Sequence, residues 1–247
     1  MSRTLSIKGL CFAIIFAGFT SQEAALIKEL DHSYSLAKST DDFYRIEVML
    51  KKSLKAFSKS DKLFWRLGRV YFKLGKKSNT ESKKINFFSL CMAQTKKAIE
   101  INSHSANGYF FNGLCNGTLG EAQGIWSSLG IIEPFKKDME TAISIDPSVE
   151  GGGPHRALGN LYLEIPYVLG GDLDLSIKHF QKAIQLGPEF GENYLGLAEV
   201  YIENGDFVLA KDVLGQFLDM ELSSQKNESI LEWRAEALNL LKKIQDQ

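Results

Sequence analysis

Cysteine and proline are scarce in this chain, with three and five among 247 residues. Cys11 falls in an apolar N-terminal stretch. Only Cys91 and Cys115 remain beyond it, which allows one bridge at most and excludes a disulfide framework. They read as two ordinary buried thiols. The four histidines, His32, His104, His155 and His179, stand singly, and no Cys or His pair has metal-ligand spacing, so no metal or cofactor is expected. A nucleotide loop of the form Gly-x4-Gly-Lys-Ser/Thr is missing. The one Gly-Lys pair, Gly75-Lys76, is followed by Lys77 and lacks the upstream glycine. No local Ser/His/Asp or Cys/His grouping marks a catalytic centre, so the chain reads as a binding protein and not an enzyme.

Long stretches rich in Leu, Ala, Lys and Glu favour helix. Formal charge is near neutral overall but is unevenly spread. Residues 50–97 carry 14 Lys and Arg against Asp61 and Glu81, a net +12, whereas residues 98–247 carry a net −12. Such a dipole bears on partners, and it allows a head-to-tail homo-oligomer as well as Lys-rich solvated faces. The basic stretch interleaves Phe64, Trp65, Tyr71, Phe72, Phe87 and Phe88. These aromatics fall at helical core spacing, which speaks against a nucleic-acid surface.

Arg3 and Lys8 precede 13 uncharged residues, Gly9 to Ser21. That is too short for a spanning helix, which needs about 20 residues, and it fits the apolar core of an export signal. Residues 1–21 are therefore expected to be a signal peptide or an uncleaved anchor, residues 22–247 a single helical domain, and the location periplasmic.

Internal similarity organises the rest. Ala98-Ile99-Glu100-Ile101, Ala142-Ile143-Ser144-Ile145 and Ala183-Ile184-Gln185-Leu186 each end a helix, and Pro147 and Pro188 follow the last two. A second helix type precedes them. Phe64, Leu67, Gly68 and Tyr71 form one copy; Leu158, Gly159 and Tyr162 another; Tyr194, Leu197, Ala198 and Tyr201 a third; Tyr109 and Gly113 a weaker one. The spacing puts each set on one helical face, with a small residue where the partner helix crosses. This resembles the tetratricopeptide family. The resemblance implies an all-α, right-handed solenoid of helix pairs. The final period, Ala183 to Phe217, is 34 residues, and the preceding ones are 44 and 41, so the middle repeats carry insertions. Five pairs are expected, at about 22–58, 60–103, 105–147, 153–188 and 190–222, with a capping helix at about 227–245.

The insertions centre on 116–135 and 163–175. Trp126 lies in the Gly-rich first one, placed to line a cavity or to sit in the core under a loop. In the second, a helix containing His155, Arg156 and Tyr162 is expected to break at Pro166 and restart after Gly170-Gly171-Asp172, leaving a fixed corner that carries Tyr167. The order of residues in 151–188 resembles the periplasmic T component of TRAP (tripartite ATP-independent periplasmic) transporters. That implies a partner such as a periplasmic substrate-binding protein, a small apolar ligand, and a binding surface including Trp126, His155, Arg156, Tyr162, Pro166, Tyr167, Gly170, Gly171 and Asp172. The alternative is a general tetratricopeptide adaptor that grips a protein segment. The chain also resembles the microtubule-dynamics regulator family, which shares elongated helical repeats, although an export signal speaks against a cytoskeletal role.

Overall fold

The computed structural model describes residues 7–123, 129–220 and 228–245. Eleven α-helices follow one another, with no strand among the described residues: α1 (Ile7–Leu36), α2 (Thr40–Ala56), α3 (Asp61–Lys76), α4 (Glu81–Ile101), α5 (Ala106–Ala122), α6 (Leu129–Ile145), α7 (Gly153–Glu164), α8 (Leu173–Leu186), α9 (Gly191–Glu203), α10 (Phe207–Asp219) and α11 (Glu228–Gln245). They form five consecutive pairs and a cap, as the repeat spacing predicts. Arg3 lies outside the described residues, as does Trp126. Residues 7–21, the greater part of the expected export segment, form the start of α1, which continues unbroken into the domain. No helix is long and apolar enough to cross a membrane among the described residues.

Local signals set the helix ends. Ser39 caps α2 through a reciprocal box: its hydroxyl accepts from the Asp42 amide, and the Asp42 carboxylate accepts from the Ser39 amide. Those hydrogen bonds hold the Asp42 carboxyl down to about 2. Ser60, Thr80 and Asp172 accept from the third residue of α3, α4 and α8 in the same way.

Ala98, Ala142 and Ala183, the small residues read from the helix endings, are fully buried where paired helices cross. Ile143, Ile145 and Ile184 pack against the core, whereas Ile101 is 42 % exposed, so the first copy covers less than expected. The core runs along the array as three linked clusters. The N-terminal one holds Leu30, Leu50 and Leu63, the middle one Phe110, Met139 and Leu158, and the C-terminal one Phe180, Leu214 and Phe217. Ile230, Ala237 and Ile244 of α11 seal the last cluster. Successive odd helices α3, α5, α7, α9 and α11 pack on one another, and successive even helices do so far less. The odd helices therefore form the inner, concave layer.

Two expectations are corrected here. Cys91 on α4 and Cys115 on α5 are joined by a disulfide and are not two separate thiols. The packing register of adjacent helices brings two positions 24 residues apart to a Cα–Cα distance of 6.2 Å, within bridging range. The first insertion is also shorter than read: residues 116–122 are the continuing last turns of α5.

Candidate functional site

The second insertion folds as a corner. Helix α7 ends at Glu164, Tyr167–Leu169 make one 3-10 turn, and α8 restarts at Leu173. Pro166 cannot extend α7, and its carbonyl accepts from the amides of Leu169 and Gly171 at 2.8 and 3.1 Å. Gly170 supplies the left-handed residue, with φ +97°. Gly171 is required for a different reason from the positive φ that a Gly-Gly pair implies. A Cβ there would meet the Ile165 carbonyl oxygen at 1.9 Å. Asp172 donates its amide to the Tyr162 carbonyl and accepts from the Leu175 amide, closing the corner onto α8. Tyr167 and Val168 stand out at its tip, 88 % and 87 % exposed.

His155 and Arg156, neighbours in sequence, diverge. His155 meets His179 of α8, with Nδ1 atoms 3.0 Å apart, and the Tyr162 ring stacks on His179. Burial lowers both imidazoles. For His155, the nearby His179 and Lys182 add to it, and the pKa falls to about 4. Arg156 turns to the inner layer. It donates to Asn193 Oδ1 at 2.8 Å and pairs with Glu192 at 3.0 Å. Asn193, fully buried on α9, in turn donates to the carbonyls of Gly151, Ala183 and Gly187, each at 3.0 Å.

Arg156 belongs to an alternating charge chain that ends on Glu192 and that single-residue reading missed. Asp31 on α1 accepts from Arg66 and Arg69 of α3 at 2.6–3.0 Å. Arg69 then reaches Glu150, in the turn before α7, at 3.1 Å. Glu150 lies near Arg156, which pairs with Glu192. Burial opposes ionisation of Asp31, but the two guanidinium groups outweigh it and hold the carboxyl below its usual range. Arg69 also lies over the Tyr34 ring at 3.7 Å, and Arg66 over the Trp65 ring at 4.1 Å.

Further along the same inner helices the pattern reverses. Glu121, Glu164, Glu199 and Glu236 stand on α5, α7, α9 and α11, and none has a hydrogen-bonded or salt-bridge partner among the described residues. They lie close enough to act on one another. Burial raises Glu164, and Glu121 raises it further against Lys76. Burial raises Glu199, with Glu236 and Glu164 adding against Lys243. Clefts adjoin both ends of the row. One, of 380 Å³, is lined by residues including Lys76, Phe88, Thr118 and Glu121. The other, of 210 Å³, lies among Glu199, Ile202, Leu240, Lys243 and Ile244. A helix C-terminus favours cations. Yet α5, α7 and α9 have no basic residue in their last turns, and α5 and α7 carry Glu121 and Glu164 there.

Of the sequence-read residues, the structure thus brings His155 and Tyr162 together, builds the corner from Pro166, Gly170, Gly171 and Asp172, and leaves Tyr167 at its tip. Arg156 lies elsewhere, in the charge chain. The acidic excess of the C-terminal half was visible in the sequence, but its alignment into a row was not.

Among solved structures, the fold is similar to a thermophilic TPR protein of Thermus thermophilus. The TM-score is 0.65 at 17 % identity, over 89 % of this chain and 99 % of that one. The tetratricopeptide-like architecture is thereby established. The finer likeness to a transporter T component finds no such support. The chain is 22 % identical over 238 residues to Regulator of microtubule dynamics protein 1 of Bos taurus, covering 90 % of this chain and 72 % of the relative. The family model described as Regulator of microtubule dynamics protein 1-3 matches residues 26–150, just over half of the sequence, and the chain belongs to that family.

Proposed function

We propose that this protein is a non-enzymatic adaptor whose inner layer holds a segment of a partner protein bearing spaced Lys or Arg residues. The observation that carries the reading is the row Glu121, Glu164, Glu199 and Glu236, unpaired on four successive inner helices among the described residues and flanked by two clefts, of which the one beside Glu199 has the apolar walls of Ile202, Leu240 and Ile244. Like charges so placed oppose one another, and Glu121 and Glu164 also oppose the dipoles of the helices they end, a local cost that a cationic partner removes. The exposed Tyr167 and Val168, three and four residues beyond Glu164, add an apolar contact at the rim.

The test is binding of a labelled peptide with alternating Lys and Leu residues, read by fluorescence anisotropy over a salt series. Binding should weaken as salt rises. It should fall at least tenfold when Glu164 and Glu199 are both changed to Gln, with helicity retained. Equal binding by the double variant would overturn the reading.

A second reading keeps the adaptor and places it outside the cytoplasm, beside a solute-binding partner of the T-component kind. The buried disulfide Cys91–Cys115 favours an oxidising compartment, and residues 1–21 and 151–188 supply its sequence support. Cell fractionation tests it, and a product found only in the cytoplasm would remove it. The relatives' name raises microtubules as the partner. Sedimentation with polymerised tubulin tests that directly.

A further inference from the structure

We infer that α11 is a self-pairing surface: two copies of this chain join by packing their α11 helices antiparallel into a two-fold dimer. The inference is independent of the carboxylate row. Each earlier odd helix packs on the even helix that follows it, but no helix follows α11 among the described residues. Ile230, Ala237, Leu240 and Ile244 bury one side of α11 against the last core cluster, on α9 and α10. An adjoining side carries Leu231 and Leu238, each more than half exposed, with exposed Ala235 between them.

The make-up of that side points to a second copy. Leu231, Ala235, Leu238 and Lys242 follow one another at intervals of four, three and four residues, the spacing of a coiled-coil seam. A single exposed leucine needs no partner, whereas leucines aligned along one open helix face leave a packing surface incomplete. Charge sets the direction. Glu232 lies near the start of α11 and Lys242 in its last turn, both exposed and neither with a salt-bridge partner among the described residues. Parallel helices would set Glu232 beside Glu232 and Lys242 beside Lys242. Antiparallel helices bring Glu232 of each copy to Lys242 of the other, twice, and oppose the two helix dipoles. The surface is thus complementary to itself, as a two-fold contact demands.

With the dyad between Ala235 and Leu238, Ala235 of one copy faces Leu238 of the other, and its small methyl lets the helices approach closely. Leu231 then lies along the aliphatic stem of Lys242 of the second copy, whose ammonium extends to Glu232. Glu236 is turned about 100° from Ala235, so pairing leaves the carboxylate row open and puts two such rows in one particle. Two helices of 18 residues bury less than about 1,200 Å², the low end for specific contacts, so the dimer dissociates in the micromolar range.

The experiment is sedimentation velocity of the full chain across the micromolar range, with helicity of each variant read by circular dichroism. The chain should pass from monomer to dimer as concentration rises, and no further, because a two-fold contact closes at two. Leu231→Glu with Leu238→Glu should abolish the dimer at unchanged helicity, since neither side chain belongs to the buried core. Glu232→Lys or Lys242→Glu alone should weaken the dimer about tenfold, because the dyad turns two attractions into two repulsions. The two combined exchange the charges and should restore it. A monomer throughout the range, growth beyond the dimer, a dimer that survives the double leucine variant, or a charge exchange as weak as the single variants would each overturn the assignment.

Discussion

Arg69 on α3 and Glu150, in the turn before α7, are 81 residues apart in sequence, yet Arg69 Nη1 donates to Glu150 Oε1 at 3.1 Å. The contact reaches past α4, α5 and α6. It ties the second helix pair to the fourth across the inner layer, in a stack where most packing is between neighbours. Arg69 is 12 % and Glu150 28 % exposed, so the pair is screened less than a surface pair.

Breaking this tie should loosen the array as a whole. Glu150→Gln should lower stability to urea by about 1–3 kcal/mol, because it keeps an acceptor oxygen for Arg69 but removes one of the two countercharges of a partly buried guanidinium. Asp31→Asn should act in the same direction. A double-mutant cycle should give less than the sum of the two, since both serve Arg69. Additive losses would show that the chain of charges does not act as a unit.

The Asn193 amide predicts a larger loss. Its side chain serves three buried carbonyls and Arg156 at once. Asn193→Ala should cost about 2–4 kcal/mol in equilibrium unfolding. Asn193→Asp should not restore it, because a carboxylate would face the same three carbonyl oxygens with no donor.

Reduction of the Cys91–Cys115 bridge offers a separate measurement. The two positions are 24 residues apart, and removing a cross-link of that length costs about 3 kcal/mol. Cys91→Ser with Cys115→Ser should lower the melting temperature by several degrees. In the unreduced, denatured native chain, neither of these two cysteines should react with a thiol reagent.

At the corner, the two adjacent glycines should respond differently. Gly170→Ala meets open space and costs about 1–2 kcal/mol through its positive φ alone. Gly171→Ala drives a methyl group into the Ile165 carbonyl and should cost more, with the backbone of the corner displaced. Melting curves of the two variants rank them, and equal losses would contradict the geometry.

Acid should reveal the opposing roles of the carboxylates. Glu164 and Glu199 have folded pKa values raised above 4.5, so the folded state binds more protons there, and their ionisation lowers stability as pH rises through that window. Asp31 is lowered below 3.8, so its contribution is present above that value and is lost as pH falls further. Glu199→Gln should therefore stabilise the protein at pH 7 by about 0.5 kcal/mol, a modest figure because the side chain reaches solvent. The gain should vanish below about pH 4.5. A gain that persisted in acid would point to packing and not to charge.

How much of this could be read in advance follows from the range of each interaction. The helix pairs were legible because they rest on local signals: Tyr194, Leu197, Ala198 and Tyr201 on one face, Asp172 at a helix start, Pro166 where a helix must stop. Those depend on periodicities of a few residues and on backbone sterics, which any stretch of chain carries with it. The corner was legible for the same reason, although the need for glycine at 171 came from a carbonyl that only the folded turn brings close.

What the tertiary structure alone decided is which side chains from distant helices share a surface. Nothing local distinguishes Glu121, Glu164, Glu199 and Glu236 from other solvated acids; the stacking of α5, α7, α9 and α11 puts them in one row. The four histidines looked equivalent until α7 and α8 packed and set His155 against His179. Cys91 and Cys115 looked like unrelated thiols until the register of α4 on α5 joined them. Sequence periodicity states which face of a helix is buried. The rotation and offset of one helix on the next come from how the volumes of Gly, Ala and Phe interlock across the whole core, and those offsets choose the partners of each charge.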